Sequence, residues 1–344
     1  MIWILILILC AIGICSAIDN NPEKPNHWLR ISLFILLAFI IGIRHKVGID
    51  YDVYVELFER PNSYRAGFVE PLWIWLNKTL AGLSYRPRMF FVVSAAYTMF
   101  AFYKGIEKDS RAFYISTLFF VLFGFYFETA NTVRQCAAMG TLMWGYSYLV
   151  EKRWIPALLL GFLSINLHLS AIFGVLLIAV SYIKINRWIL FSLLMATMVF
   201  GSMLMEFAMN VMFPILGTIN KYQYEVDQFD AGVSSGVLKY VYGVLGTIMI
   251  FACTDIREDR SEVLRLLNLT IYGLCVYNTF YVFQPARRLY TYGFMFSILL
   301  MPHFLSYFQP KVRYGVATVI TAIFLFFLAK SNLEVAYNYD FIFL

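Results

Sequence analysis

An all-helical protein threaded many times through a lipid bilayer is the fold class this sequence predicts, and three observations carry the prediction. Hydrophobic residues make up 61% of the 344 positions and charged ones only 14%, with a mean hydropathy of +0.70. A soluble domain carries roughly 25% charge, so an apolar excess of this size needs lipid as its solvent. The apolar residues are gathered into successive runs close to the length that crosses a hydrocarbon core about 30 Å thick. No alternating strand signature of a membrane barrel appears. Soluble enzymes, nucleic-acid binders and disordered scaffolds are excluded on the same grounds.

About twelve spanning helices are expected, in the order 1–18, 28–43, 88–104, 111–127, 132–150, 154–167, 170–183, 188–216, 237–254, 263–283, 289–308 and 314–330. The first lacks the basic start and small-residue cleavage site of a removed signal peptide, so it is read as a helix that stays. The stretch 154–183 is long enough to be one continuous helix instead of two. All twelve belong to one integral membrane domain over 1–344. Two connections are long and carry their own aromatic and acidic residues, 44–87 and 217–236. Within the first, 71–83 is apolar but too short to span, which suits an interfacial or re-entrant helix. The absence of a convincing internal repeat weighs against a secondary transporter.

Orientation follows from the basic residues. The short connections 19–30, 104–111, 151–153, 184–187, 255–265 and 309–313 hold 14 of the 27 Lys and Arg residues and form one alternate set, so they are expected in the cytoplasm. The two long connections then face outward. The net charge of +6 needs no nucleic-acid partner, since the largest basic cluster is the pair Arg287 and Arg288. The five cysteines stand singly, without metal spacing, and are read as packing residues. The four histidines form no HExxH or other ligand spacing, and no metal site is expected.

Four constellations combine charge with apolar surroundings. Arg44, His45, Lys46, Gly48, Asp50, Tyr51, Asp52 and Tyr54 follow the second helix, where Arg44 and Lys46 serve either as snorkelling anchors or as part of a site. Asn131 is a plausible N-cap that places Arg134 and Gln135 in the first turn of an outward helix end. Free N–H groups there already favour an anion, so Arg134 either binds a phosphate or pairs locally with Glu128. His168, between Asn166 and Ser170, is the histidine set deep in an apolar run; it is either a general base or an interhelical hydrogen-bonding group. Pro285 opens a helix whose first turn carries Arg287 and Arg288, either headgroup anchors or a diphosphate clamp. Glu70 with Pro71 opens the interfacial segment. Glu225, Asp227 and Asp230 stand among Tyr222, Tyr224 and Phe229 in the second long connection, a weak sugar-binding pattern.

The RxxxGxDYxxY string of Arg44, Gly48, Asp50, Tyr51 and Tyr54, then Glu70, the NxxRQxxA string of Asn131, Arg134, Gln135 and Ala138, and the HxSA string of His168, Ser170 and Ala171 together resemble the EpsG family of bacterial polysaccharide polymerases, related to Wzy O-antigen polymerases. Order and spacing agree over the first half of the chain. The second half resembles the family in hydropathy and in an arginine followed by a tyrosine, Arg288 and Tyr290. Leu72 departs from the small residue expected after the Glu-Pro pair.

The resemblance implies a multi-pass glycosyltransferase of GT-C-like architecture in the bacterial inner membrane, with its site facing outward. It implies transfer of a glycan from undecaprenyl diphosphate to the non-reducing end of a second lipid-linked repeat unit, without a cofactor, and a possible Wzz-type chain-length co-polymerase as partner. His168, Arg134, Asp50 and Glu70 are then the expected catalytic residues. Arg44, Arg134, Gln135, Arg287 and Arg288 are expected at the diphosphate, and Asp52, Tyr54 and Tyr290 at the sugars. An O-antigen ligase, or a flippase or transporter of the same lipid, are the alternatives.

Overall fold

The computed structural model describes residues 2–19, 21, 24–62, 69–84, 86–207, 210, 236–254, 261–334 and 340–341. Glu225, Asp227 and Asp230 and the aromatic residues around them lie outside the described residues, as does nearly all of the long connection 217–236. The protein is mostly helical, as the apolar runs predict. In order the elements are α1 (Ile2–Ile18), α2 (His27–Gly42), β1 (Arg44–His45), α3 (Tyr51–Glu59), α4 (Pro71–Leu83), α5 (Arg88–Asp109), α6 (Phe113–Leu122), α7 (Phe125–Asn131), α8 (Val133–Val150), α9 (Trp154–Leu167), α10 (Ala171–Ser181), α11 (Arg187–Phe207), α12 (Val237–Thr254), α13 (Ser261–Thr279), α14 (Gln284–Arg287), a 3₁₀ turn (Arg288–Tyr290), α15 (Thr291–Phe294), α16 (Ser297–Ser306), α17 (Pro310–Glu334) and β2 (Asp340–Phe341).

Among the described residues, four helices are long and apolar enough to cross a membrane: Arg88–Asp109, Arg187–Phe207, Val237–Thr254 and Pro310–Lys330. Two bent pairs, Phe113–Leu122 with Phe125–Asn131 and Pro285–Phe294 with Ser297–Ser306, raise the number to six if each is one span. The chain is a multi-pass membrane protein. Shorter apolar helices, such as Trp154–Leu167 and Ala171–Ser181, occupy further apolar segments.

The stretch 154–183 is two helices, as expected, broken at His168, where α9 ends and two turn residues precede α10. Other local expectations are corrected. The apolar run 111–127 bends by 53° after Leu122, where Gly124 takes a left-handed φ of +85°, and continues as helix to Asn131. Asn131 therefore closes α7 instead of capping α8, whose N-cap is Thr132. Arg287 and Arg288 lie near the start of the helical stretch Pro285–Phe294, Arg287 ending the four-residue α14 and Arg288 following directly in the 3₁₀ turn. One small antiparallel ribbon joins Arg44 to Phe341 and His45 to Asp340 in this otherwise helical chain. Of the cysteines, Cys136, Cys253 and Cys275 are buried as packing residues, but Cys10 is exposed on α1.

The chain divides into two compact units. Unit 1 comprises Met1–Ile172 and Phe308–Leu344, and unit 2 comprises Phe173–Tyr307. In unit 1, α2, α5, α8 and α9 pack in succession. Phe34 meets Tyr103 and Phe113, and Phe102 meets Phe120, with ring centroids 4.7–5.8 Å apart. Asp19, after α1, accepts hydrogen bonds from Arg30 Nε at 2.7 Å, Asn26 N at 2.7 Å and Tyr114 Oη at 2.9 Å, so a buried carboxylate is fully satisfied. Ser164 Oγ donates to the Ala138 carbonyl at 2.8 Å and ties α9 to α8.

In unit 2, α13 packs against α11, α12 and the turns from α14 to α15. At one crossing the chains meet backbone to backbone. A Cβ at Gly273 would stand 2.4 Å from Phe294 N, and one at Gly293 would stand 2.6 Å from the Leu269 carbonyl oxygen. Only glycine fits at either position.

Candidate active site

Four chain segments of unit 1 converge on Glu70. Pro71 sets φ for the start of α4 and lacks the N–H that a first helical turn leaves unpaired, so the chain enters the helix with Glu70 at its N-cap. The Glu70 side chain does not cap its own helix. It reaches instead to residues distant in sequence. Oε2 accepts a hydrogen bond from Arg134 Nη1, on the first turn of α8. Oε1 faces His168 Nδ1 at 2.7 Å and accepts the Leu169 backbone N–H at 3.2 Å. Glu70, Arg134 and His168 are therefore brought together, as the expected catalytic residues require, and Arg134 pairs with Glu70 where a local Glu128 partner was the alternative. Leu72 does not disturb this contact.

Burial alone would push the Glu70 carboxyl up, but the hydrogen bond from His168 and the charge of Arg134 outweigh it and pull the group down to about 2, from 4.5. Glu70 is thus an anion at any physiological pH and can only accept. The proton shared with His168 then belongs on Nδ1, and in the neutral ring Nε2 carries the lone pair. Arg134 also contacts the Tyr54 hydroxyl, and its Nε is buried without a hydrogen-bond partner among the described residues.

The loop after α2 is fastened to the same place. Asn131 Oδ1 accepts the Asp50 backbone N–H at 3.2 Å. Gly48 has φ +96°, and a Cβ there would lie 2.6 Å from the Ala130 carbonyl oxygen. Glycine is the residue that meets both demands. From this turn α3 carries Tyr51, Tyr54, Leu57 and Phe58 on its buried side, at the three-and-four spacing of an amphipathic helix. Tyr54 stacks on Phe90, with centroids 5.5 Å apart, and burial raises its hydroxyl above the usual phenol value. Tyr54, expected at a sugar, is 5% exposed and contacts Arg134.

The remaining expected residues are more dispersed. Arg44 is 1% exposed, donates from Nη1 to the Ile41 carbonyl at 2.8 Å and lies 4.5 Å from the centre of the Phe91 ring. Gln135 is buried one residue beyond Arg134, Asp50 is half-buried, and Asp52 is exposed on α3. In unit 2, Arg287 Nη1 donates to the Tyr281 carbonyl at 3.0 Å. Tyr290 packs against Tyr277 with centroids 4.9 Å apart, and Arg288 is half-buried. Among the described residues, no three His, Cys, Asp or Glu side chains gather as a metal site would require.

The EpsG family profile matches residues 27–343, nearly the whole chain. The protein belongs to the EpsG family. EpsG-type proteins are Wzy-like polysaccharide polymerases, which gives the chain a polysaccharide polymerase role. The match extends through the second half, where the sequence resemblance rested on hydropathy and on Arg288 and Tyr290. No curated protein and no solved structure matches the chain. Of the motif residues in the first half of this EpsG chain, Arg134 and His168 meet Glu70. Trp73, which no motif contains, was missed as a member of the site. The signal was present: a tryptophan three residues after Glu70 falls on the same first turn of α4.

Proposed function

We infer that the protein joins lipid-linked oligosaccharide repeat units, moving a glycan from its undecaprenyl diphosphate carrier to the non-reducing-end hydroxyl of a second such unit. The observation that carries this reading is one carboxylate, Glu70, holding His168 Nδ1 on one oxygen and Arg134 on the other. Glu70 fixes the imidazole so that Nε2 faces away from the pair and is free to take a proton, the arrangement a general base needs. The acceptor hydroxyl oxygen bonds to the anomeric carbon of the donor glycan while the bond from that carbon to the diphosphate oxygen breaks. The hydroxyl proton passes to His168 Nε2, and the electron pair of the broken bond leaves on undecaprenyl diphosphate.

That leaving group gains negative charge, and Arg134, with its buried and unmatched Nε, is the cation of the cluster placed to stabilise it. Arg287 and Arg288 are proposed to bind phosphate in unit 2, with Gln135 and Tyr290 supporting. Arg44, buried against Phe91, is assigned to holding the loop that carries Asp50 and Tyr54. The setting proposed is a GT-C-like bundle of about twelve spans in the inner membrane, its site outward, working with a Wzz-type length regulator.

A flippase or transporter of the same lipid would use the arginines to hold phosphate and a Glu–His pair to relay protons, so formation of polymer is what separates it from the enzyme. Complementation of a strain lacking its polymerase tests this. A glycan ladder restored by the wild type and lost with His168→Ala and Arg134→Ala supports the reading. Single repeats on the acceptor with every variant, wild type included, overturn it. A ladder that persists in His168→Ala moves the base to Asp50, Asp52 or Glu70.

A further inference from the structure

We propose that Trp73 is a positioning residue for His168, its indole N–H setting where the end of α9 presents the imidazole to Glu70. This rests on the reading of His168 as the base. The last carbonyls of a helix have no partner within it, and in a water-poor interior each one left unpaired costs on the order of a few kcal/mol. α9 ends at Leu167, and the chain turns at His168 into an extended conformation of φ −159° and ψ 122°. The carbonyl of Leu167 is met by Trp73 Nε1 at 2.7 Å, a buried hydrogen bond across 94 positions of sequence.

Trp73 is 2% exposed and its ring lies edge-on to Phe90, with centroids 5.8 Å apart. Its own backbone N–H bonds the Glu70 carbonyl at 3.0 Å, so the two residues share the first turn of α4. From that turn three successive residues of the break are held: Trp73 takes the Leu167 carbonyl, and Glu70 takes the His168 ring and the Leu169 N–H. A large ring alone satisfies the packing against Phe90. The N–H is needed only at the carbonyl; without it, among the described residues, the Leu167–His168 peptide is held by one bond alone, from the His168 N–H to the Ser164 carbonyl at 3.0 Å, and the imidazole shifts off Glu70. Trp75, two residues on, is 61% exposed and takes no part.

The test uses the full-length protein in proteoliposomes with a synthetic undecaprenyl-diphosphate-linked repeat unit, turnover being expressed per folded protein. Trp73→Phe is expected to lower kcat roughly 10- to 100-fold, a part of the 10²–10⁴-fold a general base supplies, with KM within about two-fold. Trp75→Phe leaves both unchanged. Nitrogen-15 spectra of histidine-labelled protein give a second readout. The His168 signals, identified by their loss in His168→Ala, show a protonated Nδ1 in the wild type and a mixture of tautomers in Trp73→Phe. Should Trp73→Phe fail to fold, 3-benzothienylalanine at position 73 keeps the shape of the indole and removes only the N–H.

Unchanged kcat in the variant that folds overturns the proposal, as does a lowered kcat with the His168 tautomer intact. Full turnover by His168→Ala overturns the base reading and the role of Trp73 with it. An inactive His168→Ala beside an unaffected Trp73 variant overturns the role of Trp73 alone.

Discussion

Glu70 Oε1 and His168 Nδ1 stand 2.7 Å apart although 98 positions of sequence separate them. An anion that also holds Arg134 fixes both the tautomer and the direction of the ring, and its removal affects two partners at once. Glu70→Gln keeps the shape but can no longer act as an anion toward either. Loss of polymer formation by about 100-fold or more is expected, within the range lost when a base is misoriented. The ladder from complemented cells measures it, and near-wild-type product would show that the imidazole needs no carboxylate.

Arg134→Lys preserves a positive charge but not the planar fork that can hold Glu70 and a phosphate oxygen together. At least a ten-fold fall in kcat is expected, with Arg134→Ala lower still. Equal activity of the lysine variant and the wild type would mean that a point charge suffices.

The pH dependence follows from the depressed Glu70 carboxyl. A group whose value is lower in the folded than in the unfolded protein contributes stability in full above its unfolded value, and loses it as pH falls toward its folded one. The contribution of Glu70 is therefore constant at neutral pH and disappears between about 4.5 and about 2. Thermal unfolding in detergent across this range is expected to show a fall in midpoint that Glu70→Gln lacks. A parallel fall in both proteins would place the acid sensitivity elsewhere.

Gly48→Ala places a Cβ against the Ala130 carbonyl in a backbone conformation that alanine avoids. A loss of about 1–3 kcal/mol is expected from the strain, with displacement of Asp50 from Asn131. The unfolding midpoint measures the first, and cysteine cross-linking between positions 50 and 131 the second.

How far the site was legible depends on whether its cause was local. The break at His168 was marked by Asn166 and Ser170 within an apolar run, and the helix 71–83 by its short apolar length. Partners were another matter. Asn131 has the side chain of an N-cap, yet tertiary packing spends its oxygen on Asp50, and Arg134 finds Glu70 64 positions upstream where spacing offered Glu128. Arg44 reads by charge either as a snorkelling anchor or as part of a site, and it lies buried against the Phe91 ring. The helix 51–59 carries Asp52, Glu56 and Glu59 beside the three-and-four spacing of Tyr51, Tyr54 and Phe58, and this charge masks its buried face in the sequence. Motif order brought the right residues to notice; only the fold shows which of them touch.

The meeting of Gly273 with Gly293 has a mechanical consequence for the segment that bears Arg287 and Arg288. With no side chain at either position, the separation of α13 and α15 is set by peptide groups alone, and no rotamer change can widen or narrow it. At this contact the arginine-bearing turn cannot press closer to α13. A side chain at either glycine would therefore displace the whole arginine-bearing turn, not merely a neighbouring rotamer.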